Sequence, residues 1–108
     1  MIPQIAPADV ARWRADPQGS LPLVVDVREP WELAICRIDG SVNVPLGAIA
    51  QRAGELPHGR PIVCVCHLGA RSQQAAMFLA GAGFTDVYNL RGGIAAWADE
   101  VDPAMQRY

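Results

Sequence analysis

A chain of 108 residues is the size of one domain and long enough to bury a core without disulfide staples, so residues 1–108 are expected to form a single unit. Hydrophobic residues make up 51% and charged residues 19%; this balance excludes the disordered class, and the lack of any apolar window near the roughly 18 residues of a membrane span excludes the membrane class. A formal net charge of -2 offers no basic face to nucleic acid or anionic lipid, so neither is expected as a partner.

The opening MIPQIAPADVARWRAD has neither a positive n-region nor a continuous apolar h-region, and it does not read as a secretory signal. Ile2 to Ile5 is a candidate edge strand because of its proline. APADVARWRAD then reads as a helix, with Pro7 in its first turn and Pro17 just beyond its end. PLVVDV, Pro22 to Val27, is a strand by its continuous β-branched run, and SVNVP, Ser41 to Pro45, is a second. PLGAIAQRAGEL is predicted as one helix ending against Pro57. Next come the strand PIVCVC, Pro61 to Cys66, and the helix SQQAAMFLAGAGF, with Ser72 favoured as its cap. DVYNL, Asp86 to Leu90, is the last strand, and GIAAWADEV is a helix stopped by Pro103.

Strands that alternate with helices imply an α/β fold with a central, mostly parallel sheet of about five strands, covered by helices on both faces. Val24 to Val27 and Ile62 to Cys66 are nearly continuous in apolar character and belong at its centre. Ligands of such sheets bind beyond the carboxyl ends of the strands, which is where Cys66 stands.

A thiol is a good nucleophile as the thiolate, and three features converge to favour that form at Cys66: the amides of a tight loop, a helix N-terminus, and Arg71. Gly69 permits a positive φ, so that the amides of His67, Leu68, Gly69, Ala70, Arg71 and Ser72 can turn inward as an anion-sized cup. The bland alternative is a core cysteine closing a strand. For Arg71 the choice lies between an anion binder and a surface salt bridge; for Ser72, between a helix cap and a hydroxyl donor to bound sulfur. Cys64, two residues earlier in the strand, points into a packed face and reads as a buried thiol. Cys36 has no neighbouring cation but Arg37 and reads as structural. CVCH lacks the roughly four ligands that structural zinc needs, so no metal and no cofactor is expected. Trp13, Trp31 and Trp97 are taken as core or cover residues.

Four stretches in order resemble the rhodanese homology domain in its single-domain form: VVDVREPWEL (Val24 to Leu33), RIDGSVNVP (Arg37 to Pro45), CHLGARS (Cys66 to Ser72) and VYNLRGGIAAW (Val87 to Trp97). The resemblance spans about residues 5–100 and implies a three-layer α/β/α fold and thiosulfate sulfurtransferase (rhodanese) chemistry. In that chemistry Cys66 takes the outer sulfur of thiosulfate or a similar donor as a persulfide, the His67 to Ser72 loop binds it, and cyanide or a thiol, small or on a protein, removes it. Asp26 and Arg28 either brace the loop from behind or form a plain strand-end salt bridge. The sequence departs from the family at His67, where thiosulfate-using relatives often carry arginine, and at Arg37, where a histidine is usual. Two alternatives remain: a sulfur relay that loads the same persulfide and hands it to a partner protein, and a phosphatase or arsenate reductase. The latter is disfavoured because only His67, Leu68, Gly69 and Ala70 separate cysteine from arginine, one fewer than in phosphatase loops. Three cysteines form an odd set without framework spacing, as reduced thiols do, and a cytoplasmic location is expected.

Overall fold

A computed structural model describes residues 1–108. Its elements are β1 (Gln4–Ile5), α1 (Pro7–Ala15), β2 (Leu23–Asp26), α2 (Pro30–Ile35), β3 (Val42–Asn43), α3 (Ile49–Arg52), β4 (Ile62–Val65), α4 (Ala70–Gly81), β5 (Val87–Leu90) and α5 (Gly93–Glu100). The sheet runs in the order β1-β5-β4-β2-β3 and every neighbouring pair is parallel. The two most apolar runs, β2 and β4, lie side by side at its centre with all their residues buried, and the proline-bearing first strand lies at the edge. No helix is long and apolar enough to cross a membrane.

The period-2 geometry of a strand sends alternate residues to opposite faces, and the core divides accordingly. Val25, Ile62, Cys64 and Val87 pack with Ala75, Ala76 and Leu79 of α4 on one face. Val24, Val63, Val65 and Leu90 pack with Val10 of α1 and with Ile94 and Trp97 of α5 on the other. Two helical layers therefore sandwich the sheet. Each layer excludes water from its face, at about 25 cal/mol per Å² of apolar surface buried.

Three local expectations need correction. The single helix predicted near residues 45–56 is only the four-residue α3, flanked by 3-10 turns at Leu46–Ala48 and Ala53–Glu55; Gly47 and Gly54 lower helix propensity on both sides. The helix α2 was not anticipated: PWELAI is too short to display helical periodicity, yet Pro30 opens it and the Glu29 amide donates to Glu32 Oε1 at 2.9 Å. Trp31 is not core: its position in the first turn of α2 leaves it 62% exposed, and it covers only the edge of Tyr108, with ring centroids 6.0 Å apart.

Candidate active site

β4 delivers Cys66 to the carboxyl edge of the sheet, and the chain turns at Gly69, whose φ of 118° belongs to the left-handed region that glycine tolerates. α4 starts at the next residue. Ser72 is therefore not its cap, as the sequence suggested, but lies in its first turn, with Gly69 in the cap position. The hydroxyl has a different use: Ser72 Oγ is 3.2 Å from Cys66 Sγ and 2.5 Å from Asn89 Oδ1.

The Gly69 amide donates to Cys66 Sγ at 3.0 Å. Ala70, Arg71 and Ser72 occupy the first turn of α4, where backbone N–H groups have no partner within the helix and the helix dipole favours negative charge. Cys66 itself is 1% exposed, but it shares the lining of an open cleft of about 200 Å³ with His67, Leu68, Ala70 and Arg71. The sulfur thus lies at the floor of a cup, with the loop as its wall.

Residues of the stretch Val87 to Trp97 that had no site role in the sequence reading hold this loop. Asn89 on β5 donates to Gly69 O at 3.2 Å and to Gln4 Oε1 of β1 at 2.9 Å, tying the loop to the two strands beyond β4. At the start of α5, Ile94 N–H donates to Cys66 O at 2.8 Å and Ala95 N–H to His67 O at 3.2 Å. The loop carbonyls are thereby held on the α5 side. Gly93 makes this approach possible: a Cβ there would lie 2.4 Å from His67 O and 2.5 Å from Cys66 O.

Arg71 is engaged by Glu32 of α2 through a bidentate pair, Nη1–Oε1 2.6 Å and Nη2–Oε2 2.8 Å. The Arg71 bonds are the main reason the Glu32 carboxyl is held down at about 2, and the carboxylate in turn keeps Arg71 charged. Glu32 is nearly buried while Arg71 is 36% exposed toward the cleft. The pairs of residues 39 positions apart left no periodic trace in the sequence.

Arg28 and Asp26 are fully buried and paired, with Arg28 Nη2 donating to Asp26 Oδ2 at 2.7 Å. Burial opposes the Arg28 charge, but the bonds to Asp26 and Tyr108 outweigh it and the guanidinium stays protonated. These two residues form the strand-end pair and direct their remaining bonds to α2 and Tyr108: Arg28 donates to Cys36 O at 2.8 Å and to Tyr108 Oη at 3.0 Å. Tyr108 donates to Glu32 Oε2 at 2.7 Å and stacks on His67 with ring centroids 4.2 Å apart. It therefore links the two ion pairs to the rim of the cleft. Cys36 is not free of cations beyond Arg37, because Arg28 Nη1 approaches its sulfur to 3.9 Å. Cys64 is fully buried, and that burial pushes its thiol up to about 12.

The sequence matches the model of the rhodanese-like domain over residues 7–100. It is 39% identical over 98 residues to a protein of Allochromatium vinosum named sulfurtransferase, covering 91% of this chain and 90% of that one. Identity to thiosulfate sulfurtransferase GlpE of Shewanella oneidensis is 40% over 74 residues, covering 68% of this chain and 73% of the relative. Among solved structures, reduced Bacillus anthracis CoADR-RHD superposes with a TM-score of 0.84 at 31% identity, over 99% of this chain but only 18% of that longer protein. With the parallel sheet, the cysteine at the end of β4 and the four ordered motifs, these matches establish that the chain belongs to the rhodanese-like domain family.

Proposed function

We propose that the protein is a sulfurtransferase that moves a sulfane sulfur from thiosulfate or a similar donor to a thiol or cyanide through a persulfide on Cys66. The Cys66 thiolate attacks the outer sulfur of thiosulfate, a new S–S bond forms as the old one breaks, and sulfite departs with the bonding electron pair. The acceptor then attacks the terminal sulfur and regenerates the thiolate. Covalent exchange of this kind gives ping-pong kinetics. It needs no separate base once the thiolate is formed.

The observation that carries the reading is the contact of the Gly69 amide with Cys66 Sγ at 3.0 Å, at the start of α4 and on the floor of an open cleft. A persulfide extends one atom beyond Sγ, and the first-turn amides of Ala70, Arg71 and Ser72, which have no partner within the helix, are the donors next in line for its charge. His67 and Leu68 form the rim, Arg71 stands at the mouth with its guanidinium held by Glu32, and Asp26 and Arg28 support the wall through α2 and Tyr108. The three cysteines form no disulfide, which suits a cytoplasmic setting for thiol exchange.

Intact mass after incubation with thiosulfate tests this directly. The native protein gains one sulfur and Cys66→Ser gains none; an equal gain in both, or full thiosulfate-to-cyanide turnover by Cys66→Ala, refutes the assignment. The exposed side chains of Leu68 (66%) and Trp31 (62%) favour a second reading in which the acceptor thiol sits on a partner protein. Under that reading the protein loads one sulfur but releases it slowly to cyanide or small thiols.

A further inference from the structure

Within the cleft, Arg71 is the only permanently charged cation. Its charge is already spoken for, because both Glu32 oxygens face its guanidinium at 2.6 and 2.8 Å. Arg28 behind it is matched by Asp26, and Arg107, which lines the adjoining cavity beside His67 and Tyr108, is matched by Asp99 at 2.6 Å. His67 is stacked on Tyr108, and the remaining rim is the apolar, exposed Leu68. The side chains at the mouth therefore sum to no net charge and carry an apolar edge, so a compact inorganic dianion has the loop amides and the helix terminus to draw it but no free side-chain cation to offset the loss of its hydration shell.

From this geometry we infer that Glu32 is a specificity-determining residue that, by neutralising Arg71, sets the site to draw sulfur from organic persulfides, R–S–SH, in preference to thiosulfate. The inference rests on the persulfide chemistry proposed for Cys66 and narrows its donor. Cys66 thiolate attacks the terminal sulfur of R–S–SH; the Cys66 S–S bond forms, the donor S–S bond breaks, R–S⁻ leaves with the electron pair, and the proton stays on the transferred sulfur. The leaving thiolate carries one charge where sulfite carries two. Its organic body has Leu68 to pack against. Glu32 acts through Arg71 and does not touch the reacting sulfur, so its role is positional and electrostatic.

The test compares kcat/KM for 2-hydroxyethyl persulfide and for thiosulfate in the native protein, Glu32→Gln and Leu68→Lys, at low and high salt. Gln keeps the Oε1 acceptor for the Glu29 amide, and Leu68 is on the surface, so both variants are suited to retain the fold. The native protein should favour the persulfide by roughly tenfold or more, the span over which local charge alters encounter with an anion. Each variant should raise thiosulfate kcat/KM by roughly tenfold at low salt, with a gain that fades as salt rises, and Leu68→Lys, which removes the apolar edge, should also lower the persulfide value, so that the preference for the persulfide narrows in both. A native protein that uses thiosulfate as well as the persulfide, or thiosulfate kinetics unmoved in a folded Glu32→Gln, overturns the inference and leaves the Cys66 chemistry standing. Failure of both donors to add sulfur to native Cys66 overturns the two together.

Discussion

Replacing Gly93 by alanine separates the scaffold of the loop from its chemistry, because the residue carries no functional group. A Cβ at this position would lie 2.4 Å from His67 O, against an ordinary contact that begins at 3.4 Å. The α5 terminus must then retreat from the loop by about 1 Å, and the two bonds Ile94 N–H to Cys66 O and Ala95 N–H to His67 O stretch out of range. A φ of 63° adds about 1–2 kcal/mol for a residue with a Cβ, and each lost bond adds about 0.5–1.5 kcal/mol. The total is about 2–5 kcal/mol, which lowers the urea midpoint without abolishing folding in a domain of ordinary stability. The same 1 Å shift displaces the carbonyls that flank the nucleophile, and misplacement on that scale costs on the order of 100-fold in rate. Urea unfolding and thiosulfate-to-cyanide turnover measure the two effects. Gly81→Ala is the control: it meets nothing within 4 Å near the end of α4 and should be neutral or slightly stabilising. A Gly93→Ala protein with native midpoint and native turnover would refute the claim that α5 buttresses the active loop.

Arg28→Ala strands Asp26, which is 1% exposed, without its partner; a loss of about 3–5 kcal/mol in urea unfolding is expected, and a loss below about 1 kcal/mol would show that the pair behaves as a surface bridge. Glu32 has a folded value of about 2 against an ordinary 4.5, so its contribution is complete above the ordinary value and disappears as pH falls from there toward 2. With screening at part-exposed Arg71, the amount lost is on the order of 2 kcal/mol, and Glu32→Gln should flatten that segment of a stability–pH curve. Tyr108→Phe keeps the stack on His67 but removes the hydroxyl between Arg28 and Glu32, lowering stability by about 1–2 kcal/mol in thermal unfolding; no change would mean the hydroxyl bridges nothing. Cys64, pushed up to about 12 by burial, should resist iodoacetamide at neutral pH until the protein is unfolded, as peptide mapping of native and denatured samples would show.

What the sequence revealed and what it concealed differ by the range of the interaction. β2 and β4 were legible because a strand buried on both faces must be apolar at every position, and Val24, Val25, Val63 and Val65 satisfy that locally. Cys66 was legible because a cysteine between such a strand and a glycine-turned helix has few uses. The start of α4 lies three residues before the one expected from serine as the usual cap, because here a glycine at φ 118° takes the cap position and frees the Ser72 hydroxyl for Asn89 and the sulfur. Glu32, Asn89 and Tyr108 were passed over for one shared reason: each acts on the site across 17 to 76 positions of chain, and no propensity or period records such a pairing. Glu32, the one charged residue among them, also sets the side-chain charge of the mouth. The motif CHLGARS announces an arginine beside a nucleophile; only the folded arrangement, with α2 brought against the loop, reveals that its charge is answered before any donor arrives. The motif therefore points to the reaction class proposed above, and the donor preference inferred from Glu32 rests on residues folded around it from α2 and the chain's end.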